Sequence, residues 1–431
     1  MSHIRLYSSA TPPHASIAVP GSKSYTNRAL LMAALAKGRS RLLSASSSTD
    51  CDALIGALQS LGVEITRPDA TTIVVDGGLD HPSPTTLTID VGPAGTTMRF
   101  LTALCAAIPS TTVTLRGSER MHRRPIGDLV DALREAGSSI EYLLQEGSPP
   151  LRIHSSSRLQ GCGISLNGST SSQYISALLL ASPLFRDGLD VTIRGTPIST
   201  SYIDMTIQSL ADFGVKVTHT NYQRFQVPSA QAFQAREYQV EGDASGASYL
   251  WALAAVSNGT ITVENINPFS AQGDIKFPHL LERMGCSVST HNRSITVTGN
   301  PELRSIDVDM SLMPDTAQTL ATVAACAQGT SVIRGLSTLK VKETDRIEAL
   351  RAELAKMGIT AETGPDYIAV HGGTPQPACI ATYDDHRMAM SFAILVGRTG
   401  SMEIDDPHVV EKSFPDFWRV LTTLGVQVEH S

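Results

Sequence analysis

Paired cysteine is missing from this chain. Cys51, Cys105, Cys162, Cys286, Cys326 and Cys379 stand far apart, with no CxxC pair and no histidine-rich neighbourhood. The scatter argues against a structural zinc site and suits free thiols in a reducing cytosol. Long apolar runs are missing too: the best, at residues 30–36, is too short to span a bilayer. Residues 1–13 hold no apolar run suited to a secretion signal. A basic excess is also absent. The 34 Lys and Arg are outnumbered by 41 Asp and Glu, for a net charge of −7, and aromatics are only 5% and not interleaved with basic residues. A nucleic-acid surface needs both features, so none is expected. A net charge is a sum, however, and leaves room for a locally basic cleft. The expectation is a cytoplasmic protein with no membrane contact.

What is present is an internal repeat. The 431 residues are too many for one ordinary core and predict two domains. An apolar helix end followed by glycine and a short strand recurs at Gly62, Gly137, Gly214, Gly285, Gly358 and Gly425, at spacings of 75, 77, 71, 73 and 67 residues. One helix–Gly–strand unit is common in any α/β protein, but six at nearly even spacing are not. Glycine just past a helix provides the left-handed cap from which the chain reverses into a strand. A second helix type alternates with the first, apolar almost all round and therefore buried. These helices begin near Ser24, Gly95, Ser172, Ala247, Asp315 and His386, and several end at a glycine: Gly38, Gly259, Gly329 and Gly400. The pattern predicts two α/β domains, each of three βαβαββ-type repeats with buried helices. The first strand, read over residues 4–19, precedes the first motif and is assigned to the second domain. One domain then comprises 1–20 with 242–431, and the other 21–241.

The short polar motifs fall at the starts of the buried helices, where free N–H groups favour anions. Pro20-Gly-Ser-Lys23-Ser24-Tyr-Thr-Asn-Arg28 offers a point charge, a hydroxyl and an arginine one turn later. Gly92-Pro-Ala-Gly95-Thr-Thr-Met-Arg99 is either a tight turn or a close approach to a ligand. Arg116, Arg120, Arg123 and Arg124 crowd into nine residues and repel unless acids or an anion neutralise them; Pro125 holds the next helix start rigid. Thr170-Ser171-Ser172-Gln173-Tyr174 and Ser199-Thr-Ser-Tyr202 read as helix caps or phosphate ligands. Lys342 and Arg346 are four apart and read as one helix face beside Glu343. Asp384-Asp385-His386-Arg387 suggests a metal site, but the adjacent arginine argues against one. Ser413 with Asp416 reads as a capping arrangement that leaves Lys412 outside the helix.

Taken in order, the motifs resemble those of the EPSP synthases (3-phosphoshikimate 1-carboxyvinyltransferases), of the enolpyruvyl transferase family. Pro-Gly-Ser-Lys-Ser, Ala-Gly-Thr-Thr-Met-Arg, Arg-Arg-Pro-Ile, Ser-Ser-Gln-Tyr, Lys-Glu-Thr-Asp-Arg, Asp-His-Arg-Met-Ala-Met and Lys-Ser-Phe-Pro-Asp carry the likeness across residues 19–417. The resemblance implies two inside-out α/β domains hinged around a central cleft, working as a monomer without cofactor or metal. It implies two partners, shikimate 3-phosphate and phosphoenolpyruvate, and a glyphosate target in aromatic amino acid biosynthesis. Carried over by position, shikimate 3-phosphate is held by Lys23, Ser24, Arg28, Ser171, Ser172, Gln173, Ser199, Tyr202, Asp315 and Lys342. Phosphoenolpyruvate is held by Lys23, Gly95, Arg124, Gln173, Arg346, His386, Arg387 and Lys412. Asp315, Glu343 and Lys23 are the implied catalytic groups. The chain departs from the family pattern at Pro93 and Thr338, each where relatives carry Asn, and at Lys340, where Arg is commoner; no contact is carried over at Pro93 or Thr338.

The two substrates bring about −5 to −6 of charge, which Lys23, Arg28, Arg124, Lys342, Arg346, Arg387 and Lys412 nearly match. The chemistry implied is addition of the acceptor hydroxyl to the vinyl carbon, then elimination of phosphate. The nearest rival is UDP-N-acetylglucosamine 1-carboxyvinyltransferase, with the same fold and donor. That family commonly carries a cysteine in the loop before the Arg-Pro, and residues 119–123 have none.

Overall fold

The computed structural model describes residues 3–79 and 85–430. Its chain divides into two compact units, one made of Met1–Pro20 and Glu241–Ser431, the other of Gly21–Val240. Both are α/β and follow one plan. Each contains three four-stranded sheets among the described residues, in which two neighbouring strands run parallel and the other pairings are antiparallel. The sheet built on residues 85–155 displays the plan plainly. Thr85–Asp90 leads into the buried helix Gly95–Ala107, then to the parallel strand Thr111–Arg116, the helix Gly127–Glu135, and the hairpin Ser139–Tyr142 with Leu151–Ser155. That is the expected βαβαββ order. Leu151–Ser155 alternates buried and exposed residues, so one face of the sheet is solvated and the other packs inward.

All six recurring glycines adopt the left-handed conformation, with φ between +77° and +107°. Among the glycines that end buried helices, Gly259 does not; Asn258 takes the left-handed position instead, at φ +56°. Asparagine tolerates that region better than other side chains do, which moves the cap one residue upstream.

The buried helices are Lys23–Leu35, Gly95–Ala107 and Ser172–Ala181 in one unit, and Ala244–Ser257, Ala317–Ala324 and His386–Ala393 in the other. In Ala244–Ser257 every residue before Ser257 is buried, and the indole of Trp251 satisfies its N–H on the Ile295 carbonyl at 3.1 Å. Small residues let these helices approach, and buried hydroxyls tie them together. Thr319 Oγ1 lies 3.4 Å from Ser248 Oγ and 3.3 Å from Ser391 Oγ, one hydroxyl from each helix of the unit.

The single strand expected over residues 4–19 is two strands, His3–Tyr7 and His14–Ile17, with a turn between them. His3–Tyr7 pairs antiparallel with Ser401–Asp405 and with Gln427–His430. His14–Ile17 pairs parallel with Thr260–Val263. The first residues of the chain therefore complete two sheets of the unit to which the last residues belong. In the other unit Glu237–Gln239 pairs parallel with Gly38–Leu43, so its last strand closes its first sheet. Among the described residues no helix is long and apolar enough to cross a membrane.

Two glycines separate conformational from packing cost. A Cβ on Gly62 meets nothing within 4 Å, so Gly62→Ala is disfavoured only by its φ of +96°, at about 1–2 kcal/mol. A Cβ on Gly77 would lie 2.1 Å from the Ala33 carbonyl oxygen and 2.3 Å from that of Ala36. Urea unfolding should find Gly77→Ala clearly the more damaging of the two.

Candidate active site

Within Gly21–Val240 the motifs are tied to one another. Lys23 is the first residue of its helix, behind the Ser22 cap, and its ammonium pairs with Asp50 Oδ2 at 2.9 Å. The Asp50 backbone carbonyl accepts from Thr97 of the Gly-Thr-Thr turn at 3.3 Å, and Thr96 Oγ1 accepts from Gln173 Nε2 at 3.2 Å. Ser171 does cap the helix Ser172–Ala181, accepting from the Gln173 amide. Ser172 is buried beside it. Ser199 sits at φ +50° ahead of Thr200–Asp212 and makes no side-chain cap.

Arg28 is the most enclosed cation of this unit. Its guanidinium donates to Thr206 Oγ1 at 2.8 Å, to the Ser24 and Tyr202 carbonyls at 2.9 Å each, and to Ser176 Oγ at 3.4 Å, with the Phe100 ring 5.5 Å away. These partners are neutral, and among the described residues no carboxylate pairs with it. Burial accordingly pulls its pKa down, to about 10. Such a group gains by meeting an anion.

Gly95 starts its helix with no room for a side chain: a Cβ there would lie 2.6 Å from Nη1 of both Arg99 and Arg124. Arg99 donates to the Gly95 carbonyl at 3.0 Å and to the Pro125 carbonyl at 3.1 Å, and Tyr174 Oη donates to the same Pro125 oxygen at 2.6 Å. The Arg124-Pro125 turn is thus pinned with Arg124 nearly buried. Of the crowded arginines, Arg116 pairs with Asp90 at 3.1 Å and Arg123 with Glu119.

In the other unit the acids and bases form one network around Arg346, which is 2% exposed. Its Nε donates to Asp385 Oδ2 at 2.7 Å and its Nη2 to Asp385 Oδ1 at 3.2 Å. Nη2 also reaches Glu343 Oε2 at 2.9 Å, and Nη1 reaches Asp315 Oδ1 at 3.4 Å. Burial works against this charge, but Asp385, Glu343 and Asp315 outweigh it and hold the guanidinium above its ordinary pKa. Asp315 further accepts from Arg387 Nη2 at 2.9 Å and has Lys342 Nζ at 3.7 Å; Glu343 has Lys412 Nζ at 3.7 Å. Arg387 is anchored from behind by the buried Tyr249 hydroxyl at 3.2 Å. His386 is buried, with Nδ1 3.6 Å from Asp385.

Two local expectations fail here. Lys342 and Arg346 do not share a helix face, because the helix Arg346–Lys356 starts only at Arg346. Asp345 caps it by accepting from the Ile347 and Glu348 amides. The two cations still converge, on Asp315. Ser413 is not a helix cap: Lys412 ends the 3₁₀ turn Pro407–Lys412, the next helix begins at Phe417, and Asp416 pairs with Arg419 at 2.9 Å instead. The carboxylate of Asp385, in the motif whose arginine argued against a metal site, is engaged by Arg346 and by the Arg387 amide at 2.9 Å. Sequence reasoning missed Asp50, Asp385 as the partner of Arg346, and Tyr249. The position of Asp385 inside a motif was a usable signal; Asp50 and Tyr249 carry none.

Asp274 completes this neighbourhood. It is buried and accepts a hydrogen bond from Ser245. Burial first, then the charge of Asp315, push its pKa from the ordinary 3.8 up to about 7, against the opposing pull of Arg387 and the Ser245 hydrogen bond.

Two predictions follow from these networks. Asp385→Asn removes the bidentate counter-charge of a buried guanidinium and should cost about 3 kcal/mol in urea unfolding. The second concerns pH. The folded chain keeps the Asp274 proton where the unfolded chain has lost it. This group's contribution to stability therefore falls as pH rises from the ordinary 3.8 to about 7. Asp274→Asn should flatten that slope in unfolding measured across the window.

Comparison with known proteins agrees across nearly the whole length. The family model of EPSP synthase (3-phosphoshikimate 1-carboxyvinyltransferase) matches residues 9–421. The 3-phosphoshikimate 1-carboxyvinyltransferase of Sulfurovum sp. (strain NBC37-1) is 44% identical over 417 residues, covering 94% of this chain and 96% of that protein. The same-named protein of Yersinia ruckeri is 45% identical over 413 residues, covering 95% of each. The solved structure of EPSP synthase from Acinetobacter baumannii superposes with a TM-score of 0.85 at 25% identity, over 100% of both chains. Fold, motif order and sequence likeness together place the chain in the EPSP synthase family.

Proposed function

We propose that the protein transfers the enolpyruvyl group of phosphoenolpyruvate to the 5-hydroxyl of shikimate 3-phosphate, releasing phosphate. Family membership and relatives of that name support the reaction. The observation that carries the assignment of roles is the pair of carboxylates, Asp315 and Glu343, held on one buried guanidinium among three further cations. Addition–elimination needs such a pair, one group to take a proton and one to give it.

In the addition step, Asp315 takes the proton of the 5-hydroxyl as its oxygen attacks C2 of phosphoenolpyruvate. Glu343 delivers a proton to C3, which becomes a methyl group. The product is a tetrahedral ketal phosphate. In the elimination step the C2–O bond to phosphate breaks, Asp315 passes its proton to the leaving phosphate and the methyl group returns a proton to Glu343. Both carboxyl groups are thereby restored, and the enol ether and inorganic phosphate account for all atoms. Lys23 stabilises the charge that develops on the phosphate.

Binding follows from the electrostatics of each unit. Arg28, a buried cation whose partners are neutral, takes an anionic group of shikimate 3-phosphate, with Lys23, Ser24, Ser171, Ser172, Gln173, Ser199, Tyr202 and Lys342 completing that site. Arg124, beside Gly95, joins Arg346, His386, Arg387 and Lys412 on the phosphate and carboxylate of phosphoenolpyruvate; arginine suits both by its paired donors. Lys23 and Gln173 serve both substrates. When phosphoenolpyruvate engages Arg387, one oxygen of Asp315 is released to face the acceptor hydroxyl. The working unit is proposed to be a monomer, as the family resemblance implies. Six free thiols suit a cytoplasmic setting.

The test is phosphate release by the purified protein with shikimate 3-phosphate and phosphoenolpyruvate, beside a parallel reaction offering UDP-N-acetylglucosamine. Release is expected only in the first. Asp315→Ala and Glu343→Gln should each lower kcat by about 10²–10⁴-fold, and near-normal turnover in both would refute the assignment. Arg28→Lys keeps the charge but loses the fork, and should raise KM for shikimate 3-phosphate about 10-fold.

A further inference from the structure

The turn that presents Asp385, His386 and Arg387 has an unusual backbone. Tyr383 and Asp384, consecutive and neither of them glycine, both lie in the left-handed region, at φ +55° and +53°. Residues with side chains rarely adopt it; the other such pair among the described residues, Asn221 and Tyr222, lies in the loop of a tight hairpin, whereas the pair at Tyr383 is held by tertiary contacts.

The surroundings come largely from one helix. Arg346–Lys356 begins with Arg346, which grips Asp385. Seven residues on, and so on the same face, stands Glu353. Its side chain has no solvent exposure. Its Oε2 accepts from the Ala381 amide at 3.0 Å and its Oε1 from the Tyr383 hydroxyl at 2.7 Å. Lys356, one turn further, balances the charge at 2.7 Å. The Thr382 amide between them donates to Asp405 at 2.6 Å. One helix therefore holds the turn at both ends, and each oxygen of Glu353 is spent on it.

We infer that Glu353 is a positioning residue for the phosphoenolpyruvate-binding arginines: by clamping Ala381 and Tyr383 it keeps the turn left-handed, so that Asp385 both grips Arg346 and starts the helix from which Arg387 projects. Glu353 itself touches neither arginine. The inference rests on the reading of Arg346 and Arg387 given above.

The test uses the full-length protein with Tyr383→Phe, Glu353→Gln and Lys356→Met. Tyr383 is partly exposed and loses one oxygen, so folding is preserved. Its KM for phosphoenolpyruvate should rise about 5-fold, the worth of one hydrogen bond, while KM for shikimate 3-phosphate and the unfolding midpoint stay near wild type. Glu353→Gln, which can still accept from Ala381, should shift KM in the same direction. Lys356→Met, which leaves the buried Glu353 carboxylate without its counter-charge, should lower the unfolding midpoint and shift KM for phosphoenolpyruvate in the same direction, with KM for shikimate 3-phosphate unchanged. Unchanged KM values in Tyr383→Phe, or equal rises for both substrates, would overturn the inference. Amide hydrogen exchange over residues 379–387 separates this from the parent reading. About 10-fold faster exchange in Tyr383→Phe supports the clamp even if the wild-type protein fails to turn over this substrate pair, and unchanged exchange sinks it whatever the activity.

Discussion

A guanidinium with almost no access to water is the constraint around which the acid–base cluster is arranged. Arg346 could not stay buried and charged alone, since removing an ion from water costs several kcal/mol even after the protein relaxes. Asp385 answers that charge with both oxygens, at 2.7 and 3.2 Å, and Glu343 and Asp315 converge on what remains. The same bonds that keep Arg346 buried therefore fix two further carboxylates close together. Lys342, Arg387 and Lys412 then surround those carboxylates. Counting the named side chains, four cations face three acids, so each carboxylate is shared or doubly answered within the cluster.

The other unit solves the opposite problem. Arg28 is equally buried but, among the described residues, is answered by hydroxyls, carbonyls and the Phe100 ring, and burial lowers its pKa to about 10. Lys23 has Asp50 at 2.9 Å, while Arg99 and Arg124 lean on the helix start at Gly95. Three buried helices begin at Lys23, Gly95 and Ser172, and their free N–H groups add partial positive charge. Among the described residues, one unit thus buries an arginine with neutral partners and the other buries one with three carboxylates.

Much of this plan was legible in the sequence because it is written in local signals. The glycine that ends each amphipathic helix is a backbone requirement, and all six adopt φ between +77° and +107°. Helices that are apolar all round have to be buried, and the polar motifs at their starts cap them and bond to one another, as Ser171 caps its helix, Lys23 pairs with Asp50 and Gln173 bonds Thr96. What could not be read depends on partners far away in the chain. Nothing local to Asp50 announces Lys23, and nothing local to Tyr249 announces Arg387 138 residues later. Spacing also misled where a helix began later than its pattern suggested. Asp345 caps by reaching forward to the Ile347 and Glu348 amides, which leaves Lys342 outside the helix. The Pro407–Lys412 turn likewise displaces the next helix start to Phe417.

The strand pairings set a further constraint, on the order in which the chain completes its sheets. The unit Gly21–Val240 is contiguous, and its closing strand Glu237–Gln239 pairs with Gly38–Leu43. The other unit waits for both ends of the chain. His3–Tyr7 has no partner until Ser401–Asp405 and Gln427–His430 exist, nearly 400 residues later, and His14–Ile17 needs Thr260–Val263. Contacts across such separations carry the full entropy of loop closure before they return anything. Every strand of the contiguous unit is made before Glu241, whereas the native partners of His3–Tyr7 and His14–Ile17 all follow it in sequence. The Arg346 network sits in the unit that closes last: Asp315, Glu343, Arg346 and Asp385 are all made before strand Gln427–His430. Arg346 belongs to a repeat whose own sheet, made of Asp307–Asp309, Thr330–Arg334, Ile368–His371 and Ala361–Thr363, pairs without either chain end. Asp385 instead follows Cys379–Ile380, whose sheet also needs His3–Tyr7 and Gln427–His430. The bond between Arg346 and Asp385 therefore joins a sheet that closes locally to one that closes only with the chain ends.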